Sequence, residues 1–196
     1  MNIPNYITSG RLVLTAIFIA AITIQQPWAH LVALITFAVA AASDWFDGYF
    51  ARKLGLVTSL GKLLDPLADK ILVAAGFVYL SSNLSSKGLC PVWVTCLIIG
   101  REFMVTGLRQ IAVEQGVVIA ADKLGKWKTT FQLIFIITCL TNISFVHYPD
   151  NSITSFLFWL SKPTSYLMPI SLWLAVILTA VSGWNYVWNN RALLKG

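Results

Sequence analysis

The apolar residues of this chain are gathered into long blocks rather than short alternating runs. A block of roughly 20 mostly apolar residues matches what a helix needs to cross a bilayer. Of the 196 residues, 57% are hydrophobic and only 11% charged, too apolar a balance for an ordinary soluble domain. Six such spans would use about 120 residues, which leaves room for short loops and no second soluble domain. The chain is therefore expected to form one domain over residues 1–196. The fold class is all-α, a polytopic membrane protein with six transmembrane helices and a short N-terminal interfacial segment.

The spans are predicted at about Thr8–Ile24, His30–Leu54, Ser59–Leu80, Val92–Val113, Trp127–Phe145 and Leu167–Trp188. The opening "NIPNYITSGR" has an apolar and a polar side and suits the interface. Residues 153–161, "ITSFLFWLS", are apolar but too short to cross, and are read as a second interfacial piece. Pro66 is expected in the opening turn of its helix, where its missing N–H costs little. The tryptophans and tyrosines suit interfacial belts.

The net charge of +6 has two readings. No basic patch with interleaved aromatics appears, so nucleic acid is not expected as a partner. Anionic lipid head groups at the cytoplasmic membrane ends account for the charge instead. Arg11, Arg52, Lys53, Lys62, Lys123, Lys126, Lys128, Arg191 and Lys195 fall on one side of the predicted spans, and Lys87 and Lys162 on the other. The positive side should face the cytoplasm. Cys90, Cys96 and Cys139 form no CxxC pair and read as packing residues, not a disulfide framework or zinc site. Without a basic n-region or a small-residue cleavage site, the first apolar run is expected to be retained.

Against this background, "DWFDGYFARKLGLVTSLGKLLDPLAD" places Asp44, Asp47, Asp65 and Asp69, half of the eight acidic residues, within 26 positions. Asp44 and Asp47 are three apart and Asp65 and Asp69 four apart, so each pair shares a helix face. The two helices are joined by a short basic loop. Packing them gathers four carboxylates that repel one another and are costly to desolvate. Arg52 or Lys70 could partly offset this, and a divalent cation does it better. The donors are all oxygen, which favours Mg²⁺ or Mn²⁺ over zinc, and four carboxylates could hold two ions. Gly48 and Gly61 remove side chains where a substrate could approach the backbone. Plain interfacial carboxylates and an ion-transport pathway are the competing readings. A transporter should carry acids near the middle of several spans, whereas these sit at one membrane face.

Asp44, Asp47, Gly48, Ala51, Arg52, Gly61, Asp65 and Asp69 fit D-x2-D-G-x2-A-R-x8-G-x3-D-x3-D. This pattern resembles the signature of the CDP-alcohol phosphotransferases. "NIPNYITSGR", "GREFMVTGLRQ" and "GKWKTTFQ" resemble segments of the bacterial phosphatidylglycerophosphate synthase branch, so the resemblance runs from about residue 2 to 135. It implies transfer of a phosphatidyl group from CDP-diacylglycerol to sn-glycerol 3-phosphate, with CMP released. It further implies Asp44, Asp47 and Asp65 as ligands of the metals and diphosphate. Asp69 is the implied general base, also touching metal. Asp44 is also implied to contact CDP-diacylglycerol, and Gly48, Ala51, Arg52 and Gly61 to line the nucleotide side. The implied setting is a homodimer in the bacterial inner membrane with its site facing the cytoplasm. Other acceptors known in the family are phosphatidylglycerol (in cardiolipin synthases), serine and inositol phosphate.

The acceptor's phosphate needs basic partners of its own. Arg101 and Arg109 are eight apart and can face one side of the fourth span, and guanidinium forks suit phosphate oxygens. Lys126 and Lys128 enter at the start of the fifth and are expected to close the pocket. Snorkelling anchors are the alternative for each, and Glu102 could simply pair with Arg101.

Overall fold

A computed structural model of the chain describes residues 3–54, 59–82, 88–117, 123–146 and 152–191. The side chains of residues 3–8, 44–54, 59–66, 69 and 123 lie outside that description. Among the described residues there are seven α-helices and no strand: α1 (Ile3–Thr23), α2 (Pro27–Leu54), α3 (Ser59–Ser81), α4 (Val92–Glu114), α5 (Lys123–Phe145), α6 (Ser152–Ser161) and α7 (Leu167–Asn189). Six long helices thus occupy the six predicted apolar blocks, and the short α6 occupies the predicted interfacial piece.

Two local expectations change. The N-terminal segment is not a separate element, because α1 runs unbroken from Ile3. Pro4 falls in its first turn, where no backbone N–H is required. Pro66 lies well inside α3, not in its opening turn, since that helix already begins at Ser59. An interior proline removes one ladder hydrogen bond, and α3 runs through it while packing on α1, α4 and α5. The end of α4 follows local rules closely. Gly116 takes φ +72°, and the N–H groups of Gly116 and Val117 donate to the carbonyls of Val113 and Ala112 at 3.0 and 2.8 Å. That is a Schellman stop, and the left-handed glycine makes it cheap.

The long helices close into a ring. In order around it, α1 packs on α2, α2 on α5, α5 on α7, α7 on α4, α4 on α3, and α3 back on α1. Contacts of α3 with α5 fill the centre, and α6 leans on α5. Phe18 and Phe37 meet at 5.2 Å between centroids, and Phe77 stacks on Phe135 at 5.8 Å. Gly76 sits where three helices converge. A Cβ there would lie 3.0 Å from Ile136 Cδ1 and 3.4 Å from Phe37 Cε2, so α3 approaches α5 and α2 this closely only without a side chain. Hydroxyls also tie helices together. Thr95 Oγ1 donates to the Phe77 carbonyl at 3.2 Å, and Ser144 Oγ to the His30 carbonyl at 2.9 Å.

The outside of the ring is apolar as well. Val113 of α4 and Trp184 of α7 are both more than 60% exposed, and a helix apolar on every side suits a lipid environment. Among the described residues, Leu124–Phe145 and Leu167–Asn189 are each long and apolar enough to cross a membrane. Shorter apolar stretches occur at Ser9–Thr23, Pro27–Ser43 and Lys70–Ser81. The three cysteines are free thiols; Cys90 and Cys139 are buried, as expected for packing residues, whereas Cys96 is exposed.

Candidate functional site

The carboxylate helices are α2 and α3. Asp44, Asp47, Gly48, Ala51 and Arg52 fall on the last turns of α2, which continues without a break from its apolar part. Gly61, Asp65 and Asp69 fall on the first half of α3. The two helices touch each other. The side chains of these eight residues lie outside the described ones, so the ligand and nucleotide contacts expected of them do too. Two helical carboxylate pairs on contacting helices, without His or Cys in the motif, fit a hard divalent ion bound through oxygen.

Lys70 directly follows Asp69 on α3. It faces a cavity of about 280 Å³ between α3, α4 and α5. Three basic side chains, Lys70, Arg109 and Lys128, line it together with Glu102, Thr129 and Gln132. Val73 and Ala74 of α3 and Ile98, Ile99 and Phe103 of α4 form the apolar wall. Such a chamber, basic on one side and partly desolvated by its apolar wall, suits a small anion.

Glu102 organises the basic groups. Its Oε1 accepts from Lys128 Nζ on α5 and from Arg101 Nη1 beside it at 3.3 Å. The Lys128 side chain is only 4% exposed and that of Arg101 10%. Buried charges of this kind persist only when paired, and Glu102 serves both. Lys70 Nζ donates to Thr106 Oγ1, which itself donates to the Glu102 carbonyl at 2.7 Å. Deeper in, Gln132 Nε2 donates to Thr179 Oγ1 at 3.2 Å, linking α5 to α7. Arg101 Nη2 donates to Ser182 Oγ at 3.1 Å, and Arg109 Nε to the Tyr186 hydroxyl at 3.1 Å.

Of the four expected acceptor ligands, the structure brings Arg109 and Lys128 to the cavity. Arg101 shares the α7-facing side of α4 with Arg109, as an eight-residue spacing requires, but stands behind the cavity wall on Ser182 and Glu102. Lys126 is exposed and does not line the cavity. It is two residues from Lys128, which on a helix is roughly 200° around the axis. The two lysines therefore leave α5 on different sides, and only Lys128 reaches this cavity.

Lys70 is not among the acceptor ligands expected from the sequence, and Glu102 is expected there to pair only with Arg101. An ionisable group entering the apolar run "KILVAAGFVYL" is the available signal for Lys70. Nothing local ties Glu102 to a lysine 26 residues away. Arg11, counted with the cytoplasmic surface charges, is instead one of the most buried side chains, at 1% exposure.

The sequence is similar to a family of known proteins. Residues 1–181 match the family model described as CDP-alcohol phosphatidyltransferase. The chain is 40% identical to the CDP-diacylglycerol–glycerol-3-phosphate 3-phosphatidyltransferase of Bacillus subtilis (strain 168), over 99% of this chain and 97% of that protein. It is 34% identical to the like-named protein of Rickettsia bellii, over 94% and 93% of the two chains. A cardiolipin synthase (CMP-forming) of Oryza sativa subsp. japonica is 36% identical over 68% of this chain, but over only 44% of its own length.

Proposed function

The chain belongs to the CDP-alcohol phosphatidyltransferase family, and on that premise we propose that it transfers the phosphatidyl group of CDP-diacylglycerol to sn-glycerol 3-phosphate. The products are phosphatidylglycerophosphate and CMP, in phospholipid biosynthesis. The observation that carries the acceptor assignment is the cavity lined by Lys70, Arg109 and Lys128, which begins one residue past Asp69. An acceptor without a phosphate, such as serine, presents no dianion to be neutralised by such a group of basic side chains, whereas a phosphorylated alcohol does.

Asp44, Asp47 and Asp65, with Asp69, would hold Mg²⁺ or Mn²⁺. When bound, the ions supply positive charge against the diphosphate and the departing CMP. The remaining steps belong to the chain's own groups. Arg109, Lys128 and Lys70 bind the acceptor's phosphate and keep it apart from the carboxylates. Its free hydroxyl attacks the phosphatidyl phosphorus, and Asp69 accepts the hydroxyl proton. The bond from that phosphorus to the bridging oxygen breaks, and CMP leaves with the electron pair. Gly48, Ala51, Arg52 and Gly61 form the nucleotide side.

The six long helices are read as six spans in the bacterial inner membrane, the protein acting as a homodimer with its site toward the cytoplasm. In a variant lacking Cys90, Cys96 and Cys139, an impermeant thiol reagent should label a cysteine placed at position 87 in intact cells and leave one at position 58 untouched. The reverse pattern would invert the topology.

Purified enzyme should release CMP from CDP-diacylglycerol with glycerol 3-phosphate and much more slowly with serine, inositol phosphate or phosphatidylglycerol. Faster turnover with phosphatidylglycerol would instead favour the cardiolipin synthase reading suggested by the rice relative.

A further inference from the structure

The α7 segment around residues 182–186 contains no motif, yet it forms the surface on which both arginines of α4 are set. Ser182 accepts from Arg101, and Gly183 lets that side chain lie flat, since a Cβ there would come within 3.0 Å of Arg101 Cγ. One turn on, the Tyr186 hydroxyl accepts from Arg109 Nε at 3.1 Å, and the guanidinium carbon lies 5.6 Å from the centre of the same ring. Tyr186 is itself buried against Val105 and Leu108, so its hydroxyl has little freedom to move. The hydrogen bond and the contact with the edge of the same ring together hold one side chain that also reaches the cavity. The bond to Tyr186 uses the Nε donor and leaves the Nη donors for an anion.

The geometry points to Tyr186 as a positioning residue for acceptor binding: it holds the Arg109 guanidinium at the angle at which its Nη edge meets the acceptor's phosphate. Tyr186 acts through Arg109 and does not touch the substrate. A long arginine side chain loses considerable rotamer freedom on binding. Holding it beforehand removes that cost from the binding step. This inference rests on the assignment of Arg109 to the phosphate of glycerol 3-phosphate.

Steady-state kinetics in both substrates test it with Tyr186→Phe, Arg109→Met and the double variant. Tyr186→Phe keeps the ring and removes only the hydroxyl. It should raise the KM for glycerol 3-phosphate about tenfold, the scale of one hydrogen bond to a charged group. The kcat and the KM for CDP-diacylglycerol should stay near wild type. In the Arg109→Met background the same change should add nothing further. A fall in kcat with both KM values unaltered marks Tyr186 as merely structural and overturns the proposal, as does an undiminished effect in the double variant. An acceptor KM raised by Arg109→Met and unmoved by Tyr186→Phe overturns the positioning role alone. An acceptor KM unmoved by Arg109→Met removes the phosphate assignment and this inference with it.

Discussion

Asp44→Asn, Asp47→Asn and Asp65→Asn are each expected to abolish transferase activity, and EDTA is expected to do the same until Mg²⁺ or Mn²⁺ is restored. Asparagine keeps the size of the side chain and removes the charge, so the loss would report metal and diphosphate binding and not packing. The expected drop is of the order of a thousandfold, the scale seen when one group stabilising transition-state charge is removed. Asp69→Asn should differ in kind. Its proposed role is to take the acceptor's proton, a contribution of roughly 10²–10⁴ in rate. Turnover should therefore fall while CDP-diacylglycerol binding, read by direct titration, persists. Full activity of EDTA-treated enzyme without added divalent ion would sink the metal assignment. Near-wild-type turnover in Asp69→Asn would sink the base.

Arg109→Met should raise the KM for glycerol 3-phosphate about ten- to a hundredfold, the range for a lost charge-assisted contact of roughly 1.5–3 kcal/mol. The KM for CDP-diacylglycerol should move much less, because the nucleotide and diphosphate are assigned to α2 and α3. Lys126→Met is the informative control. The flanking motif alone would count Lys126 among the phosphate ligands, whereas the fold leaves it exposed and outside the cavity lining. Its replacement should leave the acceptor KM within about twofold, as is usual for a surface charge. If the two variants raised the acceptor KM equally, the cavity would not be the acceptor site.

Much of the helical framework is legible in the order of the residues alone. The long helices coincide with the apolar blocks, and Gly116 ends α4 where the hydrophobic run gives way to a glycine-marked connection. The shared side of Arg101 and Arg109 is a matter of counting residues along a helix. The opposite placement of Lys126 and Lys128 follows from the same counting, although the basic motif around them groups the two together. Pro66 shows the limit of local rules, since a residue that prefers a helix start sits inside α3.

What the sequence determined by itself was the helical segmentation and the fixed spacing of the four aspartates. Both depend on neighbours within a few turns, through apolar run length, caps and the 3.6-residue period. Tertiary structure alone decided which helices meet. Arg101 finds Ser182 and Arg109 finds Tyr186 across more than 70 residues of chain. Glu102 finds Lys128 on another helix, and Lys70 joins the cavity from a third. Apolar packing is non-directional, and most of these helices are apolar on more than one face, so their patterns carry no partner code. Neighbours are selected by the fit of shapes, such as Ile136 and Phe37 closing on Gly76, and that fit exists only once the helices are together.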